Sequence, residues 1–180
     1  MKNLRIEEIK FMPEINQIIK DNFRLFPQDI TNIELSDLDE DTKESFDLIY
    51  KSKVEISVRI RNNYALKWCD FTIRCSTPYG RKTEIDKIIK GKGSIYLYAW
   101  KKNHELRKHF ETWILVDINK IRNYLLLDYP NISNLIKKES ISNNDGTEFI
   151  QYPIKWINKY KGLISYHNLP EHITNSFEDY

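Results

Sequence analysis

The run VEISVRIRNN, Val54 to Asn63, alternates without a break. Val54, Ile56, Val58 and Ile60 share one side of an extended chain, and Glu55, Ser57, Arg59 and Arg61 share the other. A period of two over eight residues dictates a strand, and this one is oil on one face and charge on the other. The apolar face demands a packed layer. The charged face is either the wet side of an antiparallel hairpin or the lining of a site that needs two arginines and a carboxylate in a row.

The flanking sequence places this strand in an α/β order. FDLIY reads as a short strand that leads through KSK into it, so the two form a hairpin. After NNYALKWC comes a second alternating strand, DFTIRCS, then the turn TPYGRK and the short helix TEIDKIIKGKG. Thr83 is that helix's expected N-cap, Ile85, Ile88 and Ile89 its apolar stripe, and Gly91 its stop. SIYLYAW is a strand rich in aromatics, KKNHELRKHFE a charged connector, and TWILVDI is apolar enough for a central strand. Asp117 should cap a helix at Asn119 to Leu127, with another at Ile132 to Lys138 beyond Pro130. FIQYPI is expected at a sheet edge, because Pro153 cannot donate to a ladder. KWINKYKGLI is expected as a short helix, and HNLPEHITNSFEDY as a loose tail. Near the start, helical spacing is best from Pro13 to Phe23, with Pro13 opening the helix, and SDLDEDTKE is an acidic connector. The expectation is one α/β domain over residues 1–180: a mixed central β-sheet flanked by helices, with its core at about 44–127.

Composition sets bounds. With 180 residues, 41% hydrophobic content and only 5 Gly and 6 Pro, the chain can build one core and holds no low-complexity arm. No apolar run approaches the ~20 residues that span a bilayer, and MKNLRIEEIKFMPEI carries acids where a signal peptide needs an apolar core. A soluble, cytoplasmic protein without a membrane partner is expected. Cys69 and Cys75 lack CxxC spacing and read as reduced thiols; His104, His109, His167 and His172 lack ligand spacing, so no zinc site is expected.

Charge is segregated. Residues 51–110 hold fifteen Lys or Arg against five acids, although the whole chain carries only +2. Such a lopsided middle suits a surface that meets polyanions, because each neutralised phosphate releases a condensed counterion. The plainer alternative is a Lys-rich chain with solvated lysines. Trp100 and Trp113 read as core or rim aromatics rather than as stacking platforms.

Asp47 lies inside FDLIY, an acid in an otherwise apolar strand, and the next strand offers Glu55, Ser57, Arg59 and Arg61 on one face. An acid on one strand and a residue pair two apart on the next is a geometry by which nucleases hold a hard divalent ion. The run from Glu44 to Arg122 resembles the PD-(D/E)xK, or restriction-endonuclease-like, superfamily, in particular small phage and mobile-element members with an Asp, a strand ending in basic residues, a helix and an aromatic strand. The resemblance implies a mixed sheet flanked by helices, Mg²⁺-dependent phosphodiester hydrolysis and a DNA partner.

Carried onto this chain, the resemblance makes Asp47 the first acid. With Arg59 as the family lysine, the second acid falls on Ser57; with Glu55 as that acid, the lysine position is Ser57 and Arg59 lies one step further along the same face. A guanidinium clamps phosphate but takes no proton from water. The implied site has Asp47 and Glu55 on Mg²⁺ and Arg59 on the scissile phosphate. Arg61 and Arg74 would bind flanking phosphates, and Lys82 and Lys87 would extend the basic surface. A first-helix acid would be Glu14, Glu7 or Glu8. Two other readings stand beside it: a catalytically silent module that binds nucleic acid or an acidic partner through the 51–110 surface, and an interaction protein in which the lysine excess is incidental. Whether two copies act together as a homodimer is left open.

Overall fold

The alternating strand forms as β3, Glu55–Asn62, and it pairs in parallel with β5, Ile95–Lys101, with Ser57 opposite Tyr96, Arg59 opposite Tyr98 and Arg61 opposite Trp100. The structure is a computed structural model that describes residues 2–22, 33–35, 48–50, 55–78, 83–91, 94–101, 109–128 and 140–177. Side chains are described for these except at 2–9, 33–35, 48–50, 55, 63–64 and 126–128.

Antiparallel neighbours complete the main sheet: β1 (Ile33–Leu35), β2 (Leu48–Tyr50), β6 (Phe110–Asp117) and β9 (Leu163–His167), in the order β1-β2-β3-β5-β6-β9. The expected hairpin is present, with Leu48 opposite Ile56 and Ile49 opposite Glu55. A second, antiparallel sheet has the order β4-β8-β7, from Asp70–Ser76, Glu148–Pro153 and Ser140–Ser142. The mixed α/β architecture with helices flanking the main sheet is therefore the one expected.

β5 shows why the main sheet is covered on both faces. Its aliphatic positions, Ile95, Leu97 and Ala99, pack with Ile56 and Val58 against Phe11, Ile15, Ile18 and Ile19 of helix α1, Lys2–Asn22. Its aromatic positions, Tyr96, Tyr98 and Trp100, pack the other way, against Phe71 and Ile73 of β4 and Ile150 of β8. Helices α2 (Glu84–Ile89), α3 (Ile118–Asp128) and α4 (Ile154–Lys159) share this second layer, through Ile85, Ile88, Ile121, Leu125, Ile154 and Ile157. Each such aliphatic burial stabilises by roughly 1.5–3 kcal/mol before entropy is counted. The strand thus reads as continuously apolar because both of its faces are dry.

Local signals hold at several ends. Thr83 and Asp86 form a capping box on α2, and Gly91, at φ +76°, ends it where a Cβ would lie 2.9 Å from Arg122 Nη1. Asp117 Oδ1 accepts the Asn119 N–H at 3.0 Å as the cap of α3. Trp100 is fully buried, and Trp113 is part-buried beside the α1 layer.

Three expectations are corrected. α1 runs through Pro13 instead of starting there, because the stripe Phe11, Ile15, Ile18, Ile19 continues across it while Pro13 itself is exposed. β8 is the middle strand of its sheet: Pro153 occupies its last position, opposite Asp70, and opens α4. The supposed tail is part of the fold, since α4 stops at Lys159, β9 pairs with β6, and Leu169, Ile173 and Phe177 pack on the core. The turn before β9 needs Gly162, whose missing Cβ would lie 2.5 Å from Ile121 Cδ1. α5, Glu171–Thr174, follows. Helix 132–138 and the connector 102–108 fall outside the described residues. Among the described residues no helix is long and apolar enough to cross a membrane.

Candidate functional site

Alternation along β3 turns Ser57, Arg59 and Arg61 away from α1 and toward the layer that holds β4 and α2. This face is covered in large part by protein, with the arginine side chains about one quarter exposed. Ser57 is buried, and the two arginines reach carboxylates on elements packed over them.

Arg59 Nη1 forms an ion pair with Glu84 Oε2, at the first turn of α2, and donates to the Thr72 carbonyl of β4 at 3.2 Å. The same Glu84 oxygen accepts the Arg74 backbone N–H at 2.9 Å, and Oε1 accepts the Tyr96 hydroxyl at 2.9 Å. Thr72 and Arg74 are two apart on a strand that lacks a β neighbour on one side, so their backbone groups point the same way. The guanidinium satisfies the acceptor and the carboxylate the donor: the ion pair occupies the place another strand would take. A bare edge of this kind invites pairing with foreign chains, and covering it with charge suppresses that. Burial works against the charge of Arg59, but the Glu84 carboxylate, helped by Tyr98 and Tyr96, outweighs it and drives its pKa up.

Arg61 serves the other end of β4. Its Nη1 lies 3.2 Å from Asp70 Oδ1 and donates to the Tyr98 hydroxyl at 2.8 Å, which also meets Thr72 Oγ1 at 3.0 Å. Asp70 is only 2% exposed, a burial that a carboxylate tolerates when a cation faces it. Burial raises the Tyr98 pKa, so this hydroxyl stays protonated. The arrangement is a cross-layer polar network that joins β3, β4, β5 and α2, with each charged group answered inside the chain.

The expected site residues are distributed as follows. Asp47 and Lys82 fall outside the described residues, and Glu55 opens β3 with its side chain not described. Arg59 and Arg61 share one face, each against an acid of the protein. Arg74 is exposed, and Lys87 is part-exposed on α2. Glu14 belongs to the opposite layer: both of its oxygens accept the Phe110 N–H at 2.9 Å, with His109 Nδ1 at 3.8 Å, far from any role beside Arg59. Side chains of Glu7 and Glu8 are not described. Among the described residues no group of three or more His, Cys, Asp or Glu could hold a metal ion. The carboxylates that the resemblance implies for Mg²⁺, Asp47 and Glu55, lie outside the described side chains.

Sequence reasoning missed Glu84, Tyr96 and Tyr98 as partners. Glu84 looks like an ordinary first-turn acid, favoured there by the helix dipole. The usable signal was scarcity: the few acids of a strongly basic segment are the natural counterions for arginines in a strand. Comparison with family models, curated proteins and solved structures gives no match for this chain.

Proposed function

We propose that the protein is a catalytically silent module that binds nucleic acid through the basic surface of residues 51–110. One observation carries this reading. The described acids of that segment are turned inward or used as caps: Asp70 on Arg61, Glu84 on Arg59, and Asp86 on the Thr83 N–H at 2.8 Å. Its exposed described Lys, Arg, Asp and Glu side chains are all cations: Lys67, Arg74 and Lys90. Internal pairing thus sharpens the positive character of the surface instead of cancelling it, which suits a phosphate backbone. The arginines of β3 stand beneath that surface as support.

The test is fluorescence anisotropy with labelled DNA and RNA over a salt series. Binding that weakens by roughly 0.7–0.9 powers of salt per phosphate contacted supports the reading. No retention on nucleic acid or heparin at low salt overturns it and favours an interaction protein with incidental lysines.

A second reading, a Mg²⁺-dependent deoxyribonuclease using Asp47 and Glu55, draws support from the β2–β3 hairpin, which sets Glu55 opposite Ile49. Incubation with plasmid and Mg²⁺ or Mn²⁺ separates the two. Cleavage that disappears in Asp47→Asn supports the nuclease; intact plasmid supports the silent module.

A further inference from the structure

The run KWINKYK, Lys155 to Lys161, interleaves lysine with aromatics, and Trp156 is a part-buried ring packed against the core. α4 already buries Ile154 and Ile157, and α3 buries Ile118, Ile121 and Leu125. Outboard of these lies a chain of half-buried rings. Tyr152 stacks on Trp156 at 4.5 Å and 25°, Trp156 meets Tyr160 at 4.6 Å, and Tyr160 meets Tyr124 of α3 at 3.7 Å.

Cations rim this ladder. Lys155, Lys159 and Lys161 are exposed, and Lys159 Nζ sits 5.9 Å from the centre of the Tyr160 ring. Lys120 is exposed one turn before Tyr124 on α3. α4 itself, IKWINK, has no acid. Aromatic rings flanked by positive charge complement a chain of flat bases joined by phosphates, and among nucleic acids a single strand presents both together. A duplex hides the faces of its bases.

We propose that the α3–α4 surface binds single-stranded nucleic acid, with bases against Tyr124, Trp156 and Tyr160 and phosphates at Lys155 and Lys159. The proposal rests on the nucleic-acid reading above and adds to it the strand type and the place. Stacking tolerates any base, so little sequence preference is expected.

The test compares anisotropy of a labelled oligothymidylate and of a duplex of equal length. Wild type should favour the single strand. Lys155→Ala with Lys159→Ala, both exposed, should lower the salt slope by about 0.7 per lysine on the single strand. Tyr160→Ala should weaken single-strand binding on the order of tenfold, with a smaller effect on the duplex. Tyr160→Phe keeps a ring and should retain affinity, which guards against loss through misfolding. Wild-type binding to nucleic acid that the lysine and Tyr160→Ala variants leave unchanged overturns this surface while the general reading survives. Equal losses on single strand and duplex overturn base stacking. Absence of any wild-type binding overturns both readings, and capture of an acidic protein by the same lysines would replace the strand as occupant.

Discussion

Asp70, the first residue of β4, is buried against Arg61 of β3, so the two sheets are joined by a charge pair at the point where the chain passes from one to the other. The pair is supported by Tyr98, whose hydroxyl bridges Arg61 and Thr72. Buried pairs gain little over apolar replacements, but removing one partner strands the other. Asp70→Ala should therefore lower unfolding free energy by about 3 kcal/mol. Urea denaturation followed by tryptophan fluorescence measures it, and a loss below about 0.5 kcal/mol would mean that the pair is idle.

Glu14 gives a pH dependence. Burial raises its pKa above the usual carboxylate range, and the Phe110 N–H and the nearby His109 and His167 only partly oppose that. An acid with a raised folded-state pKa binds its proton more tightly when folded. Its contribution to stability is full below the unfolded pKa and is lost as pH rises through the folded one. Relative to Glu14→Gln, the wild type should lose stability as pH climbs from about 4 through this window. Parallel pH–stability curves for the two proteins would contradict the assignment.

Gly162 is a matter of space. An added Cβ would stand 2.5 Å from Ile121 Cδ1 and 3.4 Å from Ile157 Cγ2, and both isoleucines are fully buried. Gly162→Ala should cost about 1–3 kcal/mol through overpacking and loosen the entry into β9. A denaturation midpoint equal to that of the wild type would show that the contact yields freely.

How much of this was legible in the sequence follows from what each residue's neighbours could reveal. The strands β3, β5 and β6 and the caps Thr83 and Asp117 carry patterns that are local in sequence, and local pattern located them, although β3 pairs with β5 some forty positions away. β9 follows a helix within three residues and its start depends on Gly162 fitting over Ile121, a contact 41 positions back in the chain. The charged face of β3 was the harder case. Alternation says that Arg59 and Arg61 share a side, yet the same pattern serves water, a ligand or another protein layer. Only the placement of Glu84 and Asp70 distinguishes these, and it depends on how the chain leaves the main sheet after β3 to form β4 in the second. Within the expected site, therefore, the grouping of the arginines could be read but their partners could not.

The inward commitment of β3's charge is tested most directly by a double-mutant cycle on Arg59 and Glu84. Arg59→Met, Glu84→Gln and the double variant are compared with the wild type in urea denaturation. Each single change should destabilise, and the double should cost less than their sum, giving a coupling of about 2 kcal/mol. Costs that add to within about 0.5 kcal/mol would contradict the pairing and return Arg59 to the surface as a cation available to phosphate.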